Sequence, residues 1–462
     1  MIEWTGKNTE RRKKMLLTKE KNFYKRFFSL WYVLVLNNVI ILGVNLADNI
    51  MLGNFSEAAL SGATASNQLQ FIFSQLILGV GNSTVMMGSQ YWGKKDTSAI
   101  KKLSNGALIC ALIIGGIFFL LAAFIPRELL MIFTDSEEII AEGVKYLNII
   151  KYTYPIFALT NVLLPTLRAV ESVRIGFIVS LFTLASNISL NYILIFGKLG
   201  FPAMGSEGAA TATLISRAIE LAVVIVYILV FDKKLTWRIR DLRNFELPIF
   251  KIFILTALPL ILTDGLFGIS TALQTAILGH MDGAAIAANS VASTLFQLLK
   301  VASVGSAGAA AVIIGKTIGE GRLDKTREYA KTMQLIFVGI GILTGISLFL
   351  LRTPIISAYK ISDEAKALAD GFLIVLSVTG IGTAYQMPTN TGIIRGGGDA
   401  KYVLIMDLIS IWGIVLPLSF LAAFVFHWHP VAVIACLNAD QVFKAIPAII
   451  KCNRFRWMKK LT

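Results

Sequence analysis

Twelve apolar stretches, each long enough to cross a bilayer as a helix, divide this 462-residue chain into six plus six. In the first half they lie near 27–53, 64–92, 103–125, 139–166, 174–196 and 208–231. In the second half they lie near 248–279, 290–315, 332–351, 367–394, 402–426 and 430–450. A mean hydropathy of +0.70, with only 15% charged residues, sets the chain apart from soluble domains. The expected fold is therefore an all-α integral membrane protein of twelve transmembrane helices. Most spans are apolar all round, so helical amphipathicity says little about which face looks where.

The second half repeats the first. A gapless shift of 226 residues places Leu52-Gly53 on Leu278-Gly279 and Ala58-Ala59 on Ala284-Ala285. The same shift places Gly79 on Gly305, Gly93 on Gly319, and Ser136-Glu137-Glu138 on Ser362-Asp363-Glu364. One residue further out of register, Arg168 falls on Arg395. Each half carries the same hydropathy, so the reading is a parallel internal repeat of two six-helix lobes. Many secondary transporters are built this way, with the site between the repeats. The domains are a segment 1–26, an N-lobe 27–231, a linker 232–247, a C-lobe 248–450 and a tail 451–462.

Of the 43 Lys and Arg, about 33 fall in alternate loops on one side and about five on the other. The positive-inside rule then places both termini and the linker in the cytoplasm, and the net charge of +15 is mostly this topology signal. The basic residues are scattered among loops, which argues against nucleic-acid binding and for attraction to lipid headgroups. The first span carries Asn37, Asn38, Asn45 and Asp48 and has no clear cleavage site, so it reads as a retained helix. Cys110, Cys436 and Cys452 lack metal or disulfide spacing, and His280, His427 and His429 read as loop residues. No Walker-type loop occurs, so ATP is not the energy source on this chain.

Polar groups inside spans are the functional candidates, because each costs free energy there. Asp48 is a candidate ligand for Na⁺ or a proton, or a partner for a cationic substrate, with Asn45 and Asn37 on roughly the same face. Asn187 and Asn191 share a face of the fifth span and can complete a cation site or join helices. Asp264 and Lys300 fall near mid-membrane and are expected to pair if spans seven and eight are antiparallel neighbours; Gln274 is a further cavity candidate. Arg217 with Glu220 and Asp440 with Lys444 have helical pair spacing, Asp407 reads as a gate or capping group, and Arg395 as a gating or structural residue. Pro155, Pro165, Pro259, Pro388 and Pro417 permit bends suited to alternating access.

The run Asn191–Thr213, NYILIFGKLGFPAMGSEGAATAT, resembles the span 5–6 signature of the multidrug and toxic compound extrusion (MATE) family. Asp48-Asn-Ile-Met-Leu-Gly53 resembles the end of that family's first helix, and Arg395-Gly-Gly-Gly-Asp399 its loop after span ten. The resemblance implies a cation-coupled exporter whose two lobes form a V-shaped cavity. It implies that Asp48 couples the cation, that Asn187 is a polar residue of the same site, and that Asn191 replaces a second aspartate of some members. Asp264 lies about three residues earlier than the span-seven acid of one branch, and Ala384 stands where that branch has a span-ten acid. Thr263-Asp264, Lys300, Arg395, Asp399, Asp407 and Trp412 look more like a bacterial branch near the DNA-damage-inducible members.

The expected function is thus a monomeric antiporter of the bacterial inner membrane, coupled to Na⁺ or H⁺ and exporting amphipathic, cationic organic compounds. No cofactor beyond the coupling ion is expected. Two rivals remain. A lipid-linked oligosaccharide flippase would show more cationic residues in the cavity and commonly more spans. A membrane-embedded enzyme would need clustered His, Asp or Cys, which the chain lacks.

Overall fold

The computed structural model describes residues 17–461 apart from 239, 242–245, 280, 282 and 360–361. Residues 1–16 of the N-terminal segment, part of the linker and His280 therefore lie outside the described residues. The spans are α1 (Lys21–Phe55), α2 (Glu57–Gly93), α3 (Thr97–Phe124), α4 (Glu137–Ile150 and Thr153–Ala169), α5 (Arg174–Phe196) and α6 (Gly205–Phe231). They continue as α7 (Leu247–Gly279), α8 (Gly283–Gly319), α9 (Leu323–Ala358), α10 (Asp363–Ile394), α11 (Ala400–Val425) and α12 (Pro430–Arg454). The fold is the all-α, twelve-span membrane architecture that the hydropathy implies. Several helices run past their apolar stretches at the basic end: α1 begins at Lys21 and α9 at Leu323, because polar first turns can still extend a helix into water.

Among the described residues, eleven helices are long and apolar enough to span by themselves. The exception is α4, which breaks at Lys151-Tyr152 into pieces of 14 and 17 residues. Pro155 has no N–H to offer the Lys151 carbonyl, and Tyr154 N donates there instead at 3.2 Å, tightening the turn. Pro388 has the opposite effect. From it α10 widens into a π-helical turn, Pro388–Ile394, in which Arg395 N donates five residues back to Asn390 O at 2.8 Å. Side-chain caps set other ends: Ser56 accepts from Ala59 N at α2, Asp96 from Ala99 N at α3, and Ser362 from Ala365 N at α10.

Helices α1–α6 and α7–α12 form the two lobes, which meet along α2 with α7 and α8 with α1. The seams are related by the repeat. A Cβ on Gly79 would lie 2.6 Å from Ile261 Cα on α7, and a Cβ on Gly305 would lie 2.6 Å from Val35 Cγ2 on α1. Glycine 79 maps to 305, and position 35 maps to 261, under the same 226-residue shift. Such reciprocal contacts require an approximate two-fold axis between the lobes.

The basic face is closed. Gly93 packs on the Lys316 carbonyl, and Gly319 on the Gln90 carbonyl, bringing the ends of α2 and α8 together. An apolar cluster holding Phe23, Phe27 and Leu34 of α1 with Ile313, Met333 and Phe337 of α8 and α9 joins the lobes there. Lys316 also reaches Glu171 at 3.0 Å, and Glu171 pairs with Arg26. The chain after α12 turns back at Phe455 (φ 58°) and crosses this face as a strap. Its fully buried Trp457 sits on Gly397, and Lys459 N donates to Gly397 O at 2.8 Å. Gln90 of the other lobe donates to Lys459 O at 3.1 Å and accepts from Leu461 N at 2.9 Å. Burial pushes the Asp399 carboxyl up, but hydrogen bonds from Lys451 and Lys459 outweigh it and hold Asp399 below the ordinary carboxylate range.

Candidate functional site

Within the N-lobe, α5 carries Asn187 and Asn191 one turn apart, both fully buried. Asn191 Nδ2 donates to the Asp48 carboxylate on α1 and, at 3.1 Å, to Asn187 Oδ1. Asn187 Nδ2 points to Thr213 Oγ1 on α6 at 3.4 Å. The three helices can approach this closely because of the glycines between α5 and α6. Gly197 ends α5 in the left-handed region (φ 65°), and Gly208 lies where a Cβ would be 2.7 Å from the Leu194 carbonyl oxygen. Asn191 Oδ1 is buried without a hydrogen-bond partner among the described residues. A carboxylate, two amides and a hydroxyl are thus linked in one cluster, whose carboxylate can take up a proton and whose oxygens are of the hard type that suits a small cation.

Between the lobes lies a cavity of about 490 Å³, with its floor one turn above the α2–α8 closure at the basic face. Its walls are largely apolar, with Phe157, Phe267, Met86 and Met387 among them. Asn37 and Asn45 line it, and Asn37 Oδ1 accepts from Ser180 Oγ on α5. Asp48, Asn187 and Asn191 are not in this lining; their cluster stands behind it, inside the N-lobe.

Asp264 does not pair with Lys300. Its Oδ1 accepts from Arg395 Nη1 at 2.9 Å and its Oδ2 from Asn82 Nδ2 at 3.0 Å. The rotation of α7 turns Asp264 toward α2 and the end of α10, while the Lys300 amine lies over the rings of Phe267 at 5.5 Å and Phe296 at 6.0 Å. Arg395, read as a gating or structural residue, is thus half of a buried ion pair. Asp407 proves to be part of a triad: Lys444 Nζ reaches Asp407 at 2.7 Å and Asp440 at 2.9 Å. Arg217 and Glu220 pair at 2.7 Å, also on the cavity wall.

Gln274, expected in the cavity, is half-buried on α7 outside its lining. Pro155 sits at the α4 break, away from the cavity, and Pro388 starts the π-helical turn beside it. Sequence reasoning missed a polar chain in the C-lobe. Asn390 donates to Gln386 at 3.1 Å, Gln386 to Gln441 at 2.8 Å, and Gln441 to Asp440 at 2.9 Å. Gln386 and Asn390 are four residues apart within a span, the same signal that singled out Asn187 and Asn191. Asn82 was missed too; a single amide in an apolar helix carries no spacing to flag it.

The family model described as MatE matches residues 34–193 and 259–421. Among curated proteins, a probable multidrug resistance protein NorM from Bacillus cereus is 25% identical over 406 residues, covering 87% of this chain and 89% of the relative. One of the same description from Thermotoga maritima is 24% identical over 426 residues, covering 92% and 90%. Among solved structures, the Vibrio cholerae MATE transporter VcmN in the bent form superposes with a TM-score of 0.83 at 17% identity, covering 94% of this chain and 97% of that one. A MOP superfamily transporter from Pyrococcus furiosus superposes with a TM-score of 0.85 at 19% identity, covering 96% and 100%.

Proposed function

This chain belongs to the MatE family, and from that premise we propose that it is a cation-coupled antiporter exporting amphipathic organic molecules from a bacterial cell. The observation that carries the reading is the pairing of two separate polar centres. One is the Asp48–Asn191–Asn187–Thr213 cluster inside the N-lobe, its two asparagines buried, and the other is the cavity between the lobes. A coupling ion bound in the first can bias the lobes without occupying the space of the cargo. It does so only through unequal affinity for the two states. Asp48 takes the proton, or with the neighbouring amide oxygens takes Na⁺; Asn187 and Asn191 position it.

In this reading the protein is a monomer in the inner membrane, its basic face toward the cytoplasm, and the conformation described is closed to that side. It transports and does no covalent chemistry. The flexible Met and Phe walls suit varied apolar bodies. Family resemblance implies a cationic cargo; the charges that line the cavity argue for a different one.

Reconstituted vesicles with an imposed Na⁺ gradient or an imposed pH gradient, applied separately, test the coupling. One gradient should drive dye accumulation, and Asp48→Asn should stop it. Equal transport with and without both gradients overturns the antiporter reading.

A further inference from the structure

The geometry points to an anionic cargo: an apolar body carrying a carboxylate, sulfonate or phosphate, anchored on Lys300 and Arg168. This deepens the transporter reading and rests on it. Five cationic side chains line the cavity (Arg168, Arg217, Lys300, Arg395 and Lys444) against the four carboxylates Glu220, Asp264, Asp407 and Asp440. Every one of those carboxylates is already in an ion pair: Glu220 with Arg217, Asp264 with Arg395, and Asp407 and Asp440 with Lys444. Lys300 and Arg168 form no ion pair and no side-chain hydrogen bond among the described residues.

The two kinds of cargo therefore meet different surfaces. Among the described residues, a cationic head finds no cavity carboxylate that lacks an ion-pair partner. Where it takes the place of Lys444, Arg395 or Arg217, that residue is left as a further lone charge. An anionic head finds, at either of two stations, a cation with unused protons, and a charge-assisted hydrogen bond there is stronger than a neutral one. Asp407 and Asp440 share one lysine, so that triad keeps a surplus negative charge and Lys300 balances it at longer range. Three of its four oxygens are taken: Lys444 holds one on each carboxylate, and Gln441 donates to the second oxygen of Asp440.

Lys300 offers more than charge. The Phe267 ring beside it, 5.5 Å from the amine, gives an aromatic face for the cargo's apolar body. Arg168 forms a second station. A Cβ on Gly308 would lie 3.8 Å from Arg168 Nη1, which sets this guanidinium two turns along α8 from Lys300, roughly 12 Å down the helix axis.

Two dyes on one xanthene frame test this: fluorescein, an anion, and rhodamine 6G, a cation. Binding to the purified full chain in nanodiscs of phosphatidylcholine is read by fluorescence anisotropy, with empty nanodiscs as the blank. Fluorescein should bind at least tenfold tighter than rhodamine 6G. Lys300→Met and Arg168→Gln should each weaken fluorescein at least fivefold while leaving rhodamine 6G unchanged or tighter, and Lys300→Arg should retain fluorescein. Tighter binding of rhodamine 6G to the unmodified chain, no binding of fluorescein, or unchanged fluorescein affinity in both neutralised variants overturns the proposal. The comparison on the unmodified chain decides even where a variant fails to fold. Adding phosphatidylglycerol to the nanodiscs identifies the source of the anion: competition with fluorescein assigns a lipid headgroup, and its absence a water-soluble organic anion. No gradient is present, so a failure of coupled transport in vesicles would remove the antiporter reading and leave this result standing.

Discussion

Ser89 on α2 packs against Gly315 on α8, and the two are the same position of the repeat, 226 residues apart. A residue that meets its own counterpart must stand on the two-fold axis. A Cβ on Gly315 would lie 3.0 Å from Ser89 Cβ, so the axis passes through a contact that admits no side chain on one side. Here the lobes are pressed together, one turn below the cavity floor.

Bulk at this seam should force it apart. In Gly319→Val, the new Cβ would lie 2.7 Å from the Gln90 carbonyl carbon, a backbone atom that cannot rotate away. The variant should populate the state open at the basic face. A cysteine placed at the cavity residue Ala307, in a chain freed of its native cysteines, should then react several-fold faster with an impermeant maleimide added from that face. An unchanged rate would mean that the seam does not hold the state.

Asp48→Asn keeps the shape of the side chain and removes its charge. Gradient-driven transport should fall at least tenfold, while the melting temperature in detergent stays the same or rises, since a half-buried carboxylate has been neutralised beside Asn191. Normal transport with unaltered ion dependence would exclude Asp48 as the coupling group.

The Asp264–Arg395 pair is nearly buried, and breaking such a pair commonly costs about 3–5 kcal/mol, whereas removing both partners is far milder. Asp264→Asn and Arg395→Gln should each lower stability by roughly that order, and the double variant should recover much of the loss. A second cycle of Asp264→Asn with Lys300→Met should be additive to within about 0.5 kcal/mol. Strong coupling in the second cycle and none in the first would restore the pairing expected from the sequence.

Gly208→Val places a side chain against the Leu194 and Ile195 backbone, where the nearest atoms are 2.7 Å away. Overpacking of this kind costs about 1–3 kcal/mol. Because α5 and α6 must separate, the Asn187–Thr213 contact should be lost as well. Ion-dependent transport should therefore weaken more than the melting shift alone explains, as read by transport normalised to folded protein.

The length and number of the spans were legible because they depend on hydropathy, and the duplication because glycines at close contacts such as Gly79, Gly93, Gly305 and Gly319 cannot drift. The Asn187–Asn191 cluster was legible for a local reason: spacing of four on one helix fixes a shared face. Partnerships between helices were not. Whether Asp264 meets Lys300 or Arg395 depends on the rotation of α7, and a helix that is apolar all round leaves no mark of that rotation in its sequence. The α4 break was half legible, since Pro155 was seen but the switch of Tyr154 N to the Lys151 carbonyl is a matter of geometry.

The widened turn of α10 explains why the two halves differ in count. Up to Ser136 and Ser362 the offset is 226, yet Arg168 corresponds to Arg395, an offset of one more. The turn Pro388–Ile394 lies just before Arg395, and a coil bonded five residues back takes up an inserted residue without rotating the helix beyond it. The larger offset then persists, since Arg217 of α6 corresponds to Lys444 of α12, and both face the cavity. An insertion that would have swung every later side chain of the second half off its face was absorbed within a single loop of helix, and the two lobes could go on presenting matched cations to one another.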